Sequence, residues 1–376
     1  MTSDLALLAD RRAGLSALLG LLLLEEPGPG LLDLVAGVPA LAALATGDPG
    51  IAVVYERVFL RGVPLYESVF RNVDGQQGGA TLARVVEHYD RVGFTEHLDN
   101  RWRIAGADHL GLELRCYAQL CHDEAAAWHS DIPDAAMAAV ETERGFLAAH
   151  VSAWAQVALD AALLEAGDSP YHPLVEAIVE FLHDEHRRLR PGPMVGHAVE
   201  VAALPDNLGP ARLARLLLAP ATSGMWLSST VIAAATGAIG APWRPSDARS
   251  ALRLAVESAE GGGDLRVLLT PIAEAVRIAA ASHAGRAVLE PANEANWRRW
   301  QTSAETMADL LDSVIDRGAL RTTAPPSSET ITISGADPAT LAEAVDAVIA
   351  QLHQQGFEVS TSSATPTVRL SDVALQ

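Results

Sequence analysis

The chain has 376 residues and a formal net charge of -20, and arginine carries essentially all of its positive charge. This length implies two or three domains rather than one small core. So acidic a chain excludes nucleic acid as a partner, because phosphate binding needs a basic face, whereas a cationic peptide would be attracted and steered in. Apolar residues make up 49% and aromatic residues only 5%, with Ala and Leu dominating, which is the composition of a helix-rich protein.

From Ser3-Asp4, an N-cap pair, Leu5, Leu7, Leu8, Leu15, Leu18, Leu19 and Leu22 predict one long, mostly buried helix that Pro27-Gly28-Pro29-Gly30 stops. Arg11-Arg12 before the run Leu15 to Leu24 imitates a secretory leader. The run is followed by Glu25-Glu26-Pro27, lacks a small-residue cleavage site, and its roughly ten apolar residues fall short of the roughly twenty that span a bilayer. A buried helix in a cytoplasmic protein, with no membrane insertion, is expected. Cys116 and Cys121 then read as reduced core thiols.

Short helices are expected over Leu31 to Ala45 and Ile51 to Leu60, the second with Val54, Val58 and Phe59 on one side. After Pro64-Leu65-Tyr66-Glu67-Ser68-Val69-Phe70 and a glycine-rich turn over 75–79, Leu82, Val85, Val86 and Tyr89 mark an amphipathic helix closed by Gly93. A polar linker over 99–107 leads to a helix with Asp108 at its N-cap and Leu110, Leu114, Tyr117 and Leu120 on one stripe. Pro133 begins a long helix whose pattern runs on through Phe146, His150, Trp154 and Val157, and Tyr171 to Leu189 forms another.

Pro191-Gly192-Pro193 and Leu204-Pro205-Asp206 mark a boundary. Beyond it, helices are predicted over Ala211 to Leu218, Ser228 to Thr236, Pro245 to Ser258, Leu265 to His283 and Asn293 to Ile315. Pro325-Pro326-Ser327-Ser328 has linker composition. In the tail, Thr330 to Ser334, Phe357 to Thr361 and Thr367 to Leu370 alternate with period two around an amphipathic segment from Pro338 to Gln355. The expected organisation is an all-helical domain over 1–192, a second helical layer or domain over 205–318, a linker over 319–328, and a small β-α-β-β unit over 329–376. So small a unit is expected to dock on the helical body or to pair with a copy, giving a homodimer.

Two stretches, 64–70 and 108–114, each set a carboxylate beside aromatic or aliphatic surface, and they read as the lips of one groove. Their order among the other motifs resembles the TorD/DmsD/NarJ family of chaperones that mature molybdenum-cofactor oxidoreductases. The motifs are Arg11-Arg12 with the leucine helix, Tyr55-Glu56-Arg57-Val58-Phe59, Tyr66 to Phe70, Tyr89 to Phe94, Asp108 to Leu114, Phe146 to Trp154 and Tyr171 to Leu189. Where members of the family often place a Glu-Pro pair before the Asp-His, this chain has Ala105-Gly106-Ala107. The resemblance implies a non-catalytic, cytoplasmic binding protein without a cofactor. It would hold a molybdopterin oxidoreductase subunit, or that subunit's twin-arginine signal peptide, until cofactor insertion. Binding is then expected from Tyr66, Glu67, Ser68, Phe70, Asp108, His109, Leu112 and Glu113, with the carboxylates taking guanidiniums and the apolar residues taking the greasy segment.

The alternative is a metal-dependent helical enzyme built on His183 and His186, or on Cys121-His122-Asp123-Glu124 with His129. The zincin pattern places its histidines four apart around a glutamate, whereas His183 and His186 are three apart and lack a third ligand. No phosphate-cradling loop or nucleophile elbow occurs. A structural adaptor using its acidic surface is the third reading.

Overall fold

The computed structural model describes residues 2–26, 28–46, 50–98, 104–190, 208–241, 248–318 and 320, and the backbone of 329–332, 357–362 and 367–372. The helical part falls into one compact unit and the three strands into another.

Helix α1 (Thr2–Leu24) lies along α6 (Leu110–His129) in the most extensive helix pair of the fold. The leucine stripe was expected to be buried, and at the helix start it is not: Leu5, Leu7, Leu8 and Leu15 are exposed, and Ala6, Ala9, Ala13, Ser16, Leu19 and Gly20 face inward. The physical reason is close approach, since small side chains let the two backbones nearly touch. A Cβ on Gly20 would lie 2.6 Å from the Gly111 carbonyl, and one on Gly111 would lie 2.7 Å from the Gly20 carbonyl. Ser16 Oγ donates to the Leu114 carbonyl at 2.7 Å, so even the polar member of this face is satisfied.

The segment after α1 forms α2 (Pro29–Ala36), a 3₁₀ stretch (Pro39–Thr46) and α3 (Gly50–Tyr55), which loosens into a π turn over Glu56–Leu60. That turn presents Tyr55 and Phe59 to Tyr171, with ring centroids 5.4 to 5.9 Å apart. A short α4 (Glu67–Arg71) and α5 (Gly79–Val92) follow, and Gly93 ends α5 at φ 71° in the left-handed region that suits glycine. The expected long helix from Pro133 is broken into α7 (Pro133–Ala149) and α8 (Ala155–Ala166) by a 3₁₀ turn over Val151–Ala153, with a bend of 49°. The break keeps Trp154 fully buried and His150 turned into the interior. Helix α9 (His172–Leu189) completes the first layer.

Helices α10 (Pro210–Leu217), α11 (Pro220–Ser223), α12 (Ser229–Ala238), α13 (Ala248–Gly262), α14 (Leu265–Leu289) and α15 (Glu294–Arg317) form a second layer in the same unit. Trp297 and Trp300 of α15 join the core of the first layer, and Trp300 Nε1 donates to the Ala153 carbonyl at 3.0 Å. The short α11 has no counterpart in the sequence reading. Strands β1 (Glu329–Thr332), β2 (Phe357–Ser362) and β3 (Thr367–Asp372) pair antiparallel in the order β1-β3-β2. The helix expected over 338–355 and the proline-rich linker lie outside the described residues. Among those residues, no single helix is long and apolar enough to cross a membrane.

If the α1–α6 contact is as tight as these distances require, Gly20→Ala should destabilise the protein by about 1–3 kcal/mol through overpacking against backbone. Gly14→Ala, on the same helix with nothing within 4 Å of an added Cβ, should not. Urea midpoints of the two variants test the contrast.

Candidate functional site

The two sequence stretches singled out as a site meet in space. Tyr66 and His109 form an antiparallel bridge, the Leu110 amide donates to the Leu65 carbonyl at 2.8 Å, and the Glu67 amide donates to the Asp108 carbonyl at 2.8 Å. The Tyr66 and His109 rings lie edge to face at 5.0 Å. Asp108 was expected to cap its own helix. Instead His109 is the N-cap of α6, accepting from the Gly111 amide at 3.1 Å, and Asp108 Oδ2 accepts from the Ser68 amide at 2.8 Å at the start of α4. The aspartate therefore satisfies a free amide of the neighbouring helix and fixes one stretch to the other.

The two stretches expected as the lips of an open groove are closed on each other in this structure. Glu67, Ser68, Phe70, Asp108, Leu112 and Glu113 have no exposed surface, His109 has 4%, and Tyr66 is half-buried. The buried polar groups then divide into those paired from within and those left without a partner. Glu67 bonds to Arg71 one turn later and to His150 Nδ1 at 2.9 Å, and Arg71 also donates to the Ala149 carbonyl at 2.8 Å. Burial would raise the Glu67 pKa, but the His150 hydrogen bond and the Arg71 charge reverse this and lower it, so Glu67 is ionised. His150 donates through Nδ1, and its Nε2 lies 3.2 Å from His88 Nδ1. His88 is held down at about 4 by burial and by its neighbours His150 and Arg91, so its imidazole is neutral and shares one hydrogen bond with His150. A chain of hydrogen bonds thus runs from half-buried His88 to fully buried Glu67.

Glu113 has the opposite fate. Burial, followed by the Glu67 and Asp108 charges, drives its pKa well up, and neither of its oxygens has a well-formed hydrogen bond. It is a neutral carboxyl inside the protein. Burial also raises Asp108, against the Ser68 bonds, and leaves its Oδ1 without a partner. His109 is lowered by burial to about 3, which suits its role as a hydrogen-bond acceptor at the cap. The loop 104–107 closes over this junction: the Ala105 amide donates to the Tyr66 hydroxyl at 2.9 Å, and Tyr89 donates to the Ala107 carbonyl at 3.1 Å. Gly106 lies close against the junction, since a Cβ there would lie 2.6 Å from Asp108 Oδ1 and the carboxylate would have to shift.

A second ionic junction, which the sequence reading did not assemble, joins α1, α6, α7 and α9. Arg12 reaches Glu124, Glu143 at 3.2 Å and Glu185 at 3.4 Å, while Arg188 bonds to Glu143 and to Glu185 at 2.7 Å, and Tyr117 donates to Glu185. Glu143 is fully buried and raised to about 7 by burial and by the adjacent Glu124, against the attraction of Arg12 and Arg188. The sequence signal was charge on otherwise apolar helix faces, which gains meaning only when all four faces are seen to converge.

The metal-site alternative gains nothing from the geometry. His186 is buried with Nδ1 2.6 Å from the Leu182 carbonyl and Nε2 2.6 Å from Ser152 Oγ, so both ring nitrogens are engaged. His183 faces Glu290 at 4.0 Å, and His129 pairs with Asp10 at 2.9 Å. Among the described residues, no three His, Cys, Asp or Glu side chains are grouped to hold a metal.

Fold and site together define an all-α bundle whose interior is organised by two buried ionic junctions. Residues 33–160 match the model of the family described as nitrate reductase delta subunit, in line with the NarJ/TorD resemblance of the ordered motifs. The match spans about a third of the chain and includes all eight candidate residues. It leaves α1, α9 and the whole second layer outside. No curated protein and no solved structure matches the chain significantly.

Two contrasts test the electrostatics. Glu67→Gln leaves Arg71 buried without its counter-charge and should destabilise by about 3–5 kcal/mol. Glu113→Gln replaces a neutral group by a neutral group and should change stability by less than about 1 kcal/mol, as read from urea unfolding at neutral pH. For Glu143, the folded value of about 7 lies above the ordinary 4.5, so the folded state keeps a proton that the unfolded state has lost. Stability from this group is present below 4.5 and fades as pH rises toward 7. The wild type should therefore lose stability relative to Glu143→Gln between about pH 5 and about pH 7.5, as read from urea midpoints.

Proposed function

We propose that this chain is a cytoplasmic chaperone for a molybdopterin-dependent oxidoreductase. It would hold the client's twin-arginine signal peptide, or its apo-form, before cofactor insertion, and carry out no catalysis itself. The observation that carries this reading is the match over 33–160 together with its content: the segment contains the junction where the Tyr66 to Phe70 and Asp108 to Glu113 stretches are pinned together. The net charge of -20 favours a cationic ligand.

In this reading Tyr66 is the entry point, because it alone of the eight residues is partly exposed, and the loop 104–107 is the part that lifts. Asp108 and Glu113 then meet arriving guanidiniums, and Glu67 stays with Arg71 and His150 to hold α4 in place. Leu112 and Phe70 form the apolar floor, with Ser68 and His109 holding the two stretches in register. Loss of half-buried contacts at Tyr66 should weaken a partner without unfolding the chain.

Titration calorimetry of the full chain with a synthetic peptide bearing two adjacent arginines before a leucine-rich run tests the proposal. Micromolar or tighter binding is expected, weakened about tenfold by Tyr66→Ala or by replacing the two arginines with glutamine. Circular dichroism of the variant should show unchanged helicity. Equal affinity for the arginine and glutamine peptides, or no binding to either, overturns the reading.

A further inference from the structure

The second layer lies outside the family match, yet it reaches the candidate junction directly. Phe70, in the middle of α4, sits between two tryptophans: Trp154 at 5.5 Å with the planes at 33°, and Trp226 at 5.9 Å with the planes at 36°. Trp154 belongs to the first layer, and Trp226 arrives from the turn between α11 and α12. Around it the contacts are short. Thr222 Oγ1 donates to the Val73 carbonyl at 3.1 Å, and a Cβ on Gly75 would lie 3.0 Å from Ala219 Cα and 3.3 Å from Ala219 Cβ. Gly75 is at φ 63°, so the turn after α4 is shaped to admit this segment.

The fit is good in shape and poor in polarity. Both tryptophans that flank Phe70 have a buried indole N–H without a hydrogen-bond partner. Two unmet donors beside one aromatic ring are a defect in a folded interior. They are also what an extended or helical peptide with free main-chain carbonyls would satisfy. Trp226 itself is only half-buried, while Phe70 and Trp154 beneath it are fully buried.

We propose that the face of α4 around Phe70 and Trp154 is a docking surface for an apolar segment of the client polypeptide, held closed in the free protein by the chain's own 219–228 segment, with Trp226 as the plug. This rests on the chaperone reading above and adds to it Trp154 and Trp226, which lie outside the expected eight residues. Client binding then competes with Trp226 for the same apolar surface, so the affinity measured is reduced by the fraction of molecules in which the plug is seated.

The test uses the full chain and the synthetic twin-arginine, leucine-rich peptide. A Gly75→Cys/Ala219→Cys pair places two thiols where an added Cβ already approaches Ala219 Cβ, close to disulfide reach. Its oxidised form should bind the peptide at least about tenfold more weakly than its reduced form, which carries the same strain at residue 75. Trp226→Ala should bind about tenfold more tightly than wild type. In the wild type, amide hydrogen exchange over 219–228 should speed up when peptide is added. Equal affinity of the oxidised and reduced pair, or unchanged exchange in this segment, overturns the plug while leaving the chaperone reading intact. Absence of peptide binding by every form overturns both. Should Trp226→Ala fail to fold, the oxidised and reduced pair decides alone.

Discussion

An ionised carboxylate with no exposed surface is the constraint around which the first layer is arranged. Glu67 keeps its charge only because Arg71 and His150 supply counter-charge and a hydrogen bond from two directions. Arg71 must therefore lie on the same short helix, one turn away, and the chain after α7 must break so that His150 turns inward. The break over Val151–Ala153 is where the backbone gives way to this demand. Asp108 then fixes α4 from the other side by taking the Ser68 amide. With Glu67 charged and Asp108 nearby, a third buried carboxylate cannot ionise as well, and Glu113 keeps its proton.

The second junction solves a similar problem with more members. Three glutamates and two arginines from four helices leave one surplus negative charge, and the shared proton that raises Glu143 removes it. Arg12 can take part only because α1 lies so near α6, and that proximity comes from Ala6, Ala9, Ala13, Ser16 and Gly20. Packing and electrostatics are therefore one requirement here: a larger residue on that face would move the guanidinium away from its glutamates.

The second layer changes what the first can do. Its tryptophans enter the core beside Ala153 and Phe70, so the two layers form one compact unit and share a core. Trp226 of the second layer packs on Phe70 of the first. At α4 the coupling between layers is local, through α11 and the turn that follows it.

Helix identity was legible from the sequence because it rests on local facts. Apolar spacing, Pro133 at a helix start and Gly93 at a helix end act within a few residues, and each appears in the structure close to where it was read. The pairing of the Tyr66 and Asp108 stretches was also legible, through the family pattern that residues 33–160 match. Which face of a helix is buried was not, because that depends on what packs against it: Leu5, Leu7 and Leu8 face outward since α6 needed the small residues. Whether Glu67, Asp108 and Glu113 meet water or each other was likewise undecided in one dimension, as burial is a property of all the segments that surround a group. Only the tertiary structure sets Arg71 and His150 against Glu67, and with them the difference between an open acidic groove and a closed ionic core.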